Sequence, residues 1–284
     1  MPEITLPEGT IAYRVVGPED SLHPTVLFVH GILVDHRLWT VVADQLAERG
    51  YRCVIPTLPL GSHTIPLDAR ASPTPKTSAR MIRDLIVELE LTDVTLVGCD
   101  TGGALCQFVI DEYADHVGRL VLLNCDAFDR FPPAPFKQVF ALMRGPRTLR
   151  ALMNAMRPTV LRHSPLGFGL LVKRADAELT RSWTEPSRTD PRIASDLAGL
   201  LRSIRPADLL EVSNRLPRFD KPVTLVWGQD DRCFTPRLGK RLADRFPDST
   251  YVAVPGARTF VAIDEPDAVS SAIESISHRP PRSG

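Results

Sequence analysis

Short β-branched runs alternate with longer amphipathic ones through the first half of the chain, the pattern of a mostly parallel sheet covered by helices on both faces. "TIAYRVVG", "PTVLFVH", "YRCVIP", "DVTLVG" and "GRLVLLN" read as strands. Between them, "HRLWTVVADQLAERG" places Leu38, Val41, Val42 and Leu46 at helical spacing and stops at Gly50. "SARMIRDLIVELEL" does the same with Met81, Ile82, Leu85 and Leu89, and "GGALCQFVIDEYA" predicts a third helix. The alternation breaks at "DAFDRFPPAPF". From Ala127 to Leu216 only helix-like segments appear, punctuated by Pro, Gly and Arg. It resumes with the strand "KPVTLVWG", a helix near Pro236 to Phe246, the strand "TYVAVPG" and a last helix near Glu265 to Ser277. The tail "HRPPRSG" reads as mobile. The expected fold is α/β, with a core formed by 1–126 and 217–284 and a helical cap, 127–216, inserted between two strands. Open α/β sheets place their ligands at the C-terminal strand ends, so the cap should lie over the site.

Charge changes this picture in one place. The chain of 284 residues balances 34 Lys and Arg against 34 Asp and Glu, so no overall field recruits nucleic acid or a membrane. The stretch from Ala127 to Leu216 nevertheless holds fifteen basic and eight acidic residues. Its Arg144, Arg147, Arg150, Arg157 and Arg162 read first as a solvated face, and beyond that as a match for an acidic substrate or a membrane surface. Five cysteines with no C-x-x-C spacing read as reduced core residues, not as a disulfide framework or a metal site. The N-terminal "MPEITLPEGT" has no leader pattern, and the expectation is a cytoplasmic protein with no membrane span.

The candidate chemistry sits in "VTLVGCDTGGAL". Gly98-Cys99-Asp100-Thr101-Gly102 joins a buried strand to a helix through a sharp turn whose glycines permit close approach, which presents Asp100 as nucleophile or base. Earlier, "FVHGILVDHRLW" follows a strand with His30-Gly31-Ile32. The N–H of Ile32 can join that of Thr101 as an oxyanion or leaving-group hole, while His30 orders the loop.

From Val26 to Ala268 the chain resembles the α/β-hydrolase superfamily, and "GCDTGG" resembles its aspartate-nucleophile branch of haloalkane dehalogenases, fluoroacetate dehalogenases and epoxide hydrolases. The resemblance implies an α/β-hydrolase fold and attack by the Asp100 carboxylate on carbon, giving an ester that a His–acid pair hydrolyses. It implies Asp231 in "LVWGQDDRCF" as the acid, with Asp126 in "NCDAFD" at the position used by a variant of the branch. The pattern fails at the base: in "PGARTFVAIDEP" Thr259 occupies the histidine's place. His30, His36 and His63 lie on loops near the expected strand ends, whereas His23, His116 and His163 have no such placement.

The branch's halide donors, Trp or Arg after the nucleophile, are replaced by Thr101, and all four tyrosines lie outside the cap, whose only indole is Trp183. Trp183 is therefore the candidate leaving-group donor, with a cap-core aromatic as the plainer reading. The expected activity is hydrolysis of an epoxide or similarly activated carbon electrophile in a small molecule, without cofactor or metal. The alternatives are a non-hydrolytic lyase, cyclase or isomerase, or a catalytically silent ligand-binding homologue. No nucleic acid or membrane partner is expected, and a homodimer stays open.

Overall fold

The computed structural model describes residues 1–133 and 136–279; of the tail 278–284 expected to be mobile, 280–284 lie outside the described residues, whereas Arg279 is tied down by Asp248 and Arg119. The first part of the chain forms β1 (Glu3–Leu6), β2 (Gly9–Val16), β3 (Val26–Val29), α1 (Thr40–Glu48), β4 (Cys53–Pro56), α2 (Pro75–Glu88), β5 (Val94–Asp100), α3 (Thr101–Glu112) and β6 (Val117–Cys125). Helices α4 (Lys137–Met143), α5 (Pro146–Ala155), α6 (Thr159–Arg162), α7 (Ala177–Thr189), α8 (Pro191–Ser203) and α9 (Pro206–Arg215) follow. The chain then returns through β7 (Val223–Gly228), α10 (Pro236–Ala243), β8 (Ser249–Val254), α11 (Val261–Asp264) and α12 (Pro266–Ser277).

All eight strands form one sheet in the order β1-β2-β4-β3-β5-β6-β7-β8. Pairing is antiparallel for β1–β2 and β2–β4 and parallel from β4 to β8. The central strands are buried on both faces because successive side chains feed two cores. Leu27, Val29, Leu96, Leu120 and Leu122 enter one core with α2, α3, α9 and α10; Val26, Phe28, Val97, Val121 and Leu123 enter the other with α1, α11 and α12. The expected α/β architecture is thus present. Two short elements were not expected: β1, four residues long with a mixed burial pattern, and α11, a single turn, carry too little periodicity to be read from sequence.

Local chemistry fixes the helix starts. Thr74 and Thr77 form a capping box ahead of α2, with Pro75 at its first turn, and Asp176 and Asp190 cap α7 and α8 through backbone N–H groups. Among the described residues the segment from 127 to 216 holds no strand beyond an isolated bridge between Ala127 and Arg130. Its helices divide: α5, α7 and α8 pack on one another, whereas α9 packs on α3 and is tied to it by Arg215 on Asp111.

Arg162 is not on a solvated face. It is 1% exposed, and its guanidinium donates to the carbonyls of Met156, Arg157 and Ala177 and to the Thr180 hydroxyl, so it holds α6 against α7. Arg150 likewise donates to the Arg188 carbonyl.

Candidate active site

Strand β5 delivers Asp100 to the C-terminal edge of the sheet, and α3 leaves from the next residue. Asp100 sits at φ 55°, ψ −132°, a conformation that costs a non-glycine residue about 1–3 kcal/mol. The surroundings hold it there by contact. A Cβ at Gly102 would overlap the carbonyl oxygens of Val29 and His30, and one at Gly31 would overlap the Asp100 carboxyl itself. These glycines let the turn and the loop after β3 close on each other.

The consequence is a defined carboxyl. Oδ2 of Asp100 accepts the N–H of Ile32 at 3.2 Å, and the N–H of Thr101 also supports the group. Burial pushes its pKa to about 7; the Asp231 charge adds to the rise, and the two backbone N–H groups oppose it. The N–H groups of Ile32 and Thr101, expected as an oxyanion or leaving-group hole, both bond the Asp100 carboxyl itself in this structure.

Asp231 follows β7 and is fully engaged. Oδ1 accepts the N–H groups of Cys233 and Phe234 at 2.7 and 3.0 Å; Oδ2 accepts the Asn124 amide at 2.8 Å and the Thr259 hydroxyl at 2.9 Å. Its pKa still rises to about 6, because burial outweighs the four donors. Asn124 was missed in the sequence. It sits in the apolar run of β6, takes the Gly228 N–H on Oδ1 at 2.6 Å, and so locks Asp231 to the end of β7. An amide inside a strand buried on both faces is the signal that could have found it.

Asp126 lies one residue past Cys125, the β6 partner of Asp100. Oδ2 accepts the Thr101 hydroxyl at 3.2 Å, while Oδ1 is buried with no partner. Burial, then the neighbouring Asp100 charge, drives its pKa well above the ordinary carboxylate value.

The histidines are elsewhere. His30 is wholly buried, with Nδ1 donating to the Gly31 carbonyl and Nε2 accepting the Leu58 N–H, and burial lowers its pKa to about 4. It orders the loop, as expected. His36 bonds the Thr57 hydroxyl through Nδ1 at 2.8 Å, and His63 is held between the Gly61 N–H and Asp196. Neither they nor any other histidine lines the cavity at Asp100.

Trp183 departs from the expected donor role. Its indole N–H donates to Asp35 at 3.0 Å, its ring packs on Phe168 and Phe260, and it does not line the cavity. The plainer reading, a cap-core aromatic, is the one the geometry supports. The reason is Asp35, which Arg37 also binds and which sequence spacing could not connect to a residue 148 positions away.

Above Asp100 lies a cavity of about 60 Å³. Asp100 and Ile32 form its floor, Phe136, Val139, Met143, Met153 and Met156 from the cap its walls, and Leu166 to Phe168 one rim. Among the described residues Asp100 is the only ionisable group in this lining, and no side-chain N–H donor joins it. Met and Phe at helical spacing in the cap could equally have been core, which is why the walls were not legible beforehand.

A family model described as alpha/beta hydrolase fold matches residues 24–266. The chain is 26% identical over 273 residues to haloalkane dehalogenase 2 of Mycobacterium tuberculosis, covering 92% of this chain and 90% of that protein. It is 25% identical over 215 residues to a 2-hydroxy-6-oxononadienedioate/2-hydroxy-6-oxononatrienedioate hydrolase of Paraburkholderia phymatum, covering 73% and 70%. Among solved structures, an ancestral haloalkane dehalogenase superimposes with a TM-score of 0.78 at 20% identity over 98% of this chain and 100% of its own. An alpha/beta hydrolase fold protein of Burkholderia ambifaria gives 0.77 at 22% identity, over 96% and 97%. At those identities the structural likeness speaks for the fold alone.

Proposed function

Because this chain belongs to the alpha/beta hydrolase fold family, we propose that it opens an epoxide, or a similarly strained carbon electrophile, in a neutral apolar molecule, with Asp100 as the general base. One observation carries the reading: a carboxyl lifted to about pKa 7 faces an apolar cavity that contains no imidazole. A base works best when its pKa lies near the operating pH, and Asp100 meets that condition without help. The N–H of Ile32 fixes one carboxyl oxygen, and the ionised carboxylate takes a proton from water. The water oxygen attacks a ring carbon, the C–O bond breaks, and the resulting alkoxide takes up the proton to give a diol.

The ester route has less support. Thr259 binds Asp231 where the resemblance puts a histidine, and a hydroxyl cannot take the proton needed to hydrolyse an ester of Asp100. Dehalogenation, the activity in the names of several relatives, is also less supported, because the cavity offers no side-chain donor for a leaving halide.

Single turnover in H₂¹⁸O tests the reading. Label in the diol and none in the Asp100 carboxyl is the expected result. Label in Asp100 would establish the ester route, and full turnover by Asp100→Asn would remove Asp100 from either.

A second reading follows from the apolar walls, which give a water no polar anchor except Asp100 itself. There Asp100 takes a proton from carbon in an elimination or rearrangement. A product without solvent oxygen, formed with exchange of one substrate C–H in D₂O, would favour it.

A further inference from the structure

We propose that the cap segment from Phe131 to Ala175 docks peripherally on an anionic lipid surface and that the Asp100 cavity opens onto that surface. The segment contains eight Lys and Arg and no Asp or Glu, so the rest of the chain carries the matching negative excess. Arg162 is buried and Lys173 pairs with Asp230, while Arg157 lies in a groove with Glu178 and Glu185. Lys137, Arg144 and Arg147 form no ion pair among the described residues.

The same segment exposes apolar side chains that a water-facing surface would not select. Val160 is 82% exposed, Leu166 70%, Leu142 60% and Leu161 52%. Val160 and Leu161 lie on α6 and Leu166 just beyond it. Leu166 is at once exposed and part of the cavity lining, and α4, the helix that carries exposed Leu142, lines the same cavity through Val139, Phe140 and Met143. The elements that build the apolar cavity thus also carry exposed leucines, with unpaired cations at both ends of α4.

Charge complementarity selects the occupant. A second copy of the chain would bring two faces of like charge together, whereas anionic headgroups would neutralise the cations and acyl chains would cover the leucines. No helix among the described residues is long and apolar enough to cross a membrane, so the contact is interfacial. A surface-dissolved apolar substrate would then reach Asp100 without crossing water.

Co-sedimentation of the full chain with vesicles of phosphatidylcholine, with or without phosphatidylglycerol, tests this independently of the reaction catalysed. Partition onto the anionic vesicles should exceed that onto neutral ones by at least about tenfold and fall in 0.5 M salt. Arg144→Glu/Arg147→Glu and Val160→Glu/Leu161→Glu should each lower it by about tenfold. Equal partition onto both vesicle types, or variants that bind like the wild type, would overturn the proposal. So would a dimer in ultracentrifugation that Val160→Glu/Leu161→Glu dissolves, because the face would then be an interface between copies.

Discussion

Two regions of this molecule are rich in groups that look reactive, and they differ in what those groups have left to do. At the seam between the cap and the loops after β3 and β4, Asp35 binds Trp183 and Arg37, His63 binds Asp196, Ser62 binds the Trp183 carbonyl and Ser187 the Gly61 carbonyl. At the Asp100 cavity a single ionisable group faces apolar walls. The seam has more titratable side chains, yet nearly every donor and acceptor is answered within the protein, so it serves as a latch between cap and core. The cavity has fewer, but the half-buried Asp100 carboxyl faces it with no side-chain donor bonded to it among the described residues. Chemistry is to be sought where valence is unspent rather than where charge is dense.

Substitution breaks the comparison most sharply. Asp100→Asn should reduce turnover of an epoxide substrate by about 10²- to 10⁴-fold, the range a positioned base contributes, while thermal unfolding shows no loss of stability. Asp35→Asn should do the reverse: turnover within a few-fold of wild type, and stability lower by about 1–3 kcal/mol because the Trp183 indole and Arg37 lose a charged acceptor. If Asp35→Asn proved the more damaging to kcat, the assignment of roles would be inverted.

The pH dependence comes next in size. Asp100 must be ionised to act as base, so the rate should rise with pH through about 7 and level off above it. Stability should run the other way. The folded chain holds the Asp100 proton to about pH 7 and the unfolded chain releases it near 3.8, so raising pH between the two costs stability. Melting temperatures of wild type and Asp100→Asn should diverge over that interval, with the wild type losing relative stability at the alkaline end.

A smaller change should follow Thr259→His, which sets an imidazole against Asp231. If Asp100 acts as base, kcat should move by no more than a few-fold; a gain above tenfold with product burst kinetics would reveal an ester that the natural chain releases slowly. Smallest of all, Trp183→Phe should leave turnover unchanged and cost about 1 kcal/mol through the lost bond to Asp35.

The sheet and most helices were legible because burial on two faces enforces continuous apolar runs and one-sided packing enforces helical spacing. Asp100 was legible because its backbone conformation demands glycines on either side. The Asp231–Thr259 pair was legible only through resemblance, since nothing local joins residues so far apart in the chain. Asn124, Asp35 and Arg162 were missed for a common reason. Each acts through partners that folding alone supplies, and a buried amide, a loop acid and a cap arginine look the same in sequence whether they clamp carbonyls or face water. The cavity walls escaped because Met153 and Met156 read identically as core and as lining.

The buried acids have a consequence for the molecule as a whole. A count of side chains makes it electrically neutral at pH 7, but Asp100, with a pKa of about 7, is about half protonated there in the folded state, and burial makes Asp126 hold its proton more tightly than an exposed carboxyl. For these acids, folding at pH 7 draws hydrogen ions from solution. In a weakly buffered stopped-flow cell a pH indicator would register their burial on refolding as a turn toward alkaline.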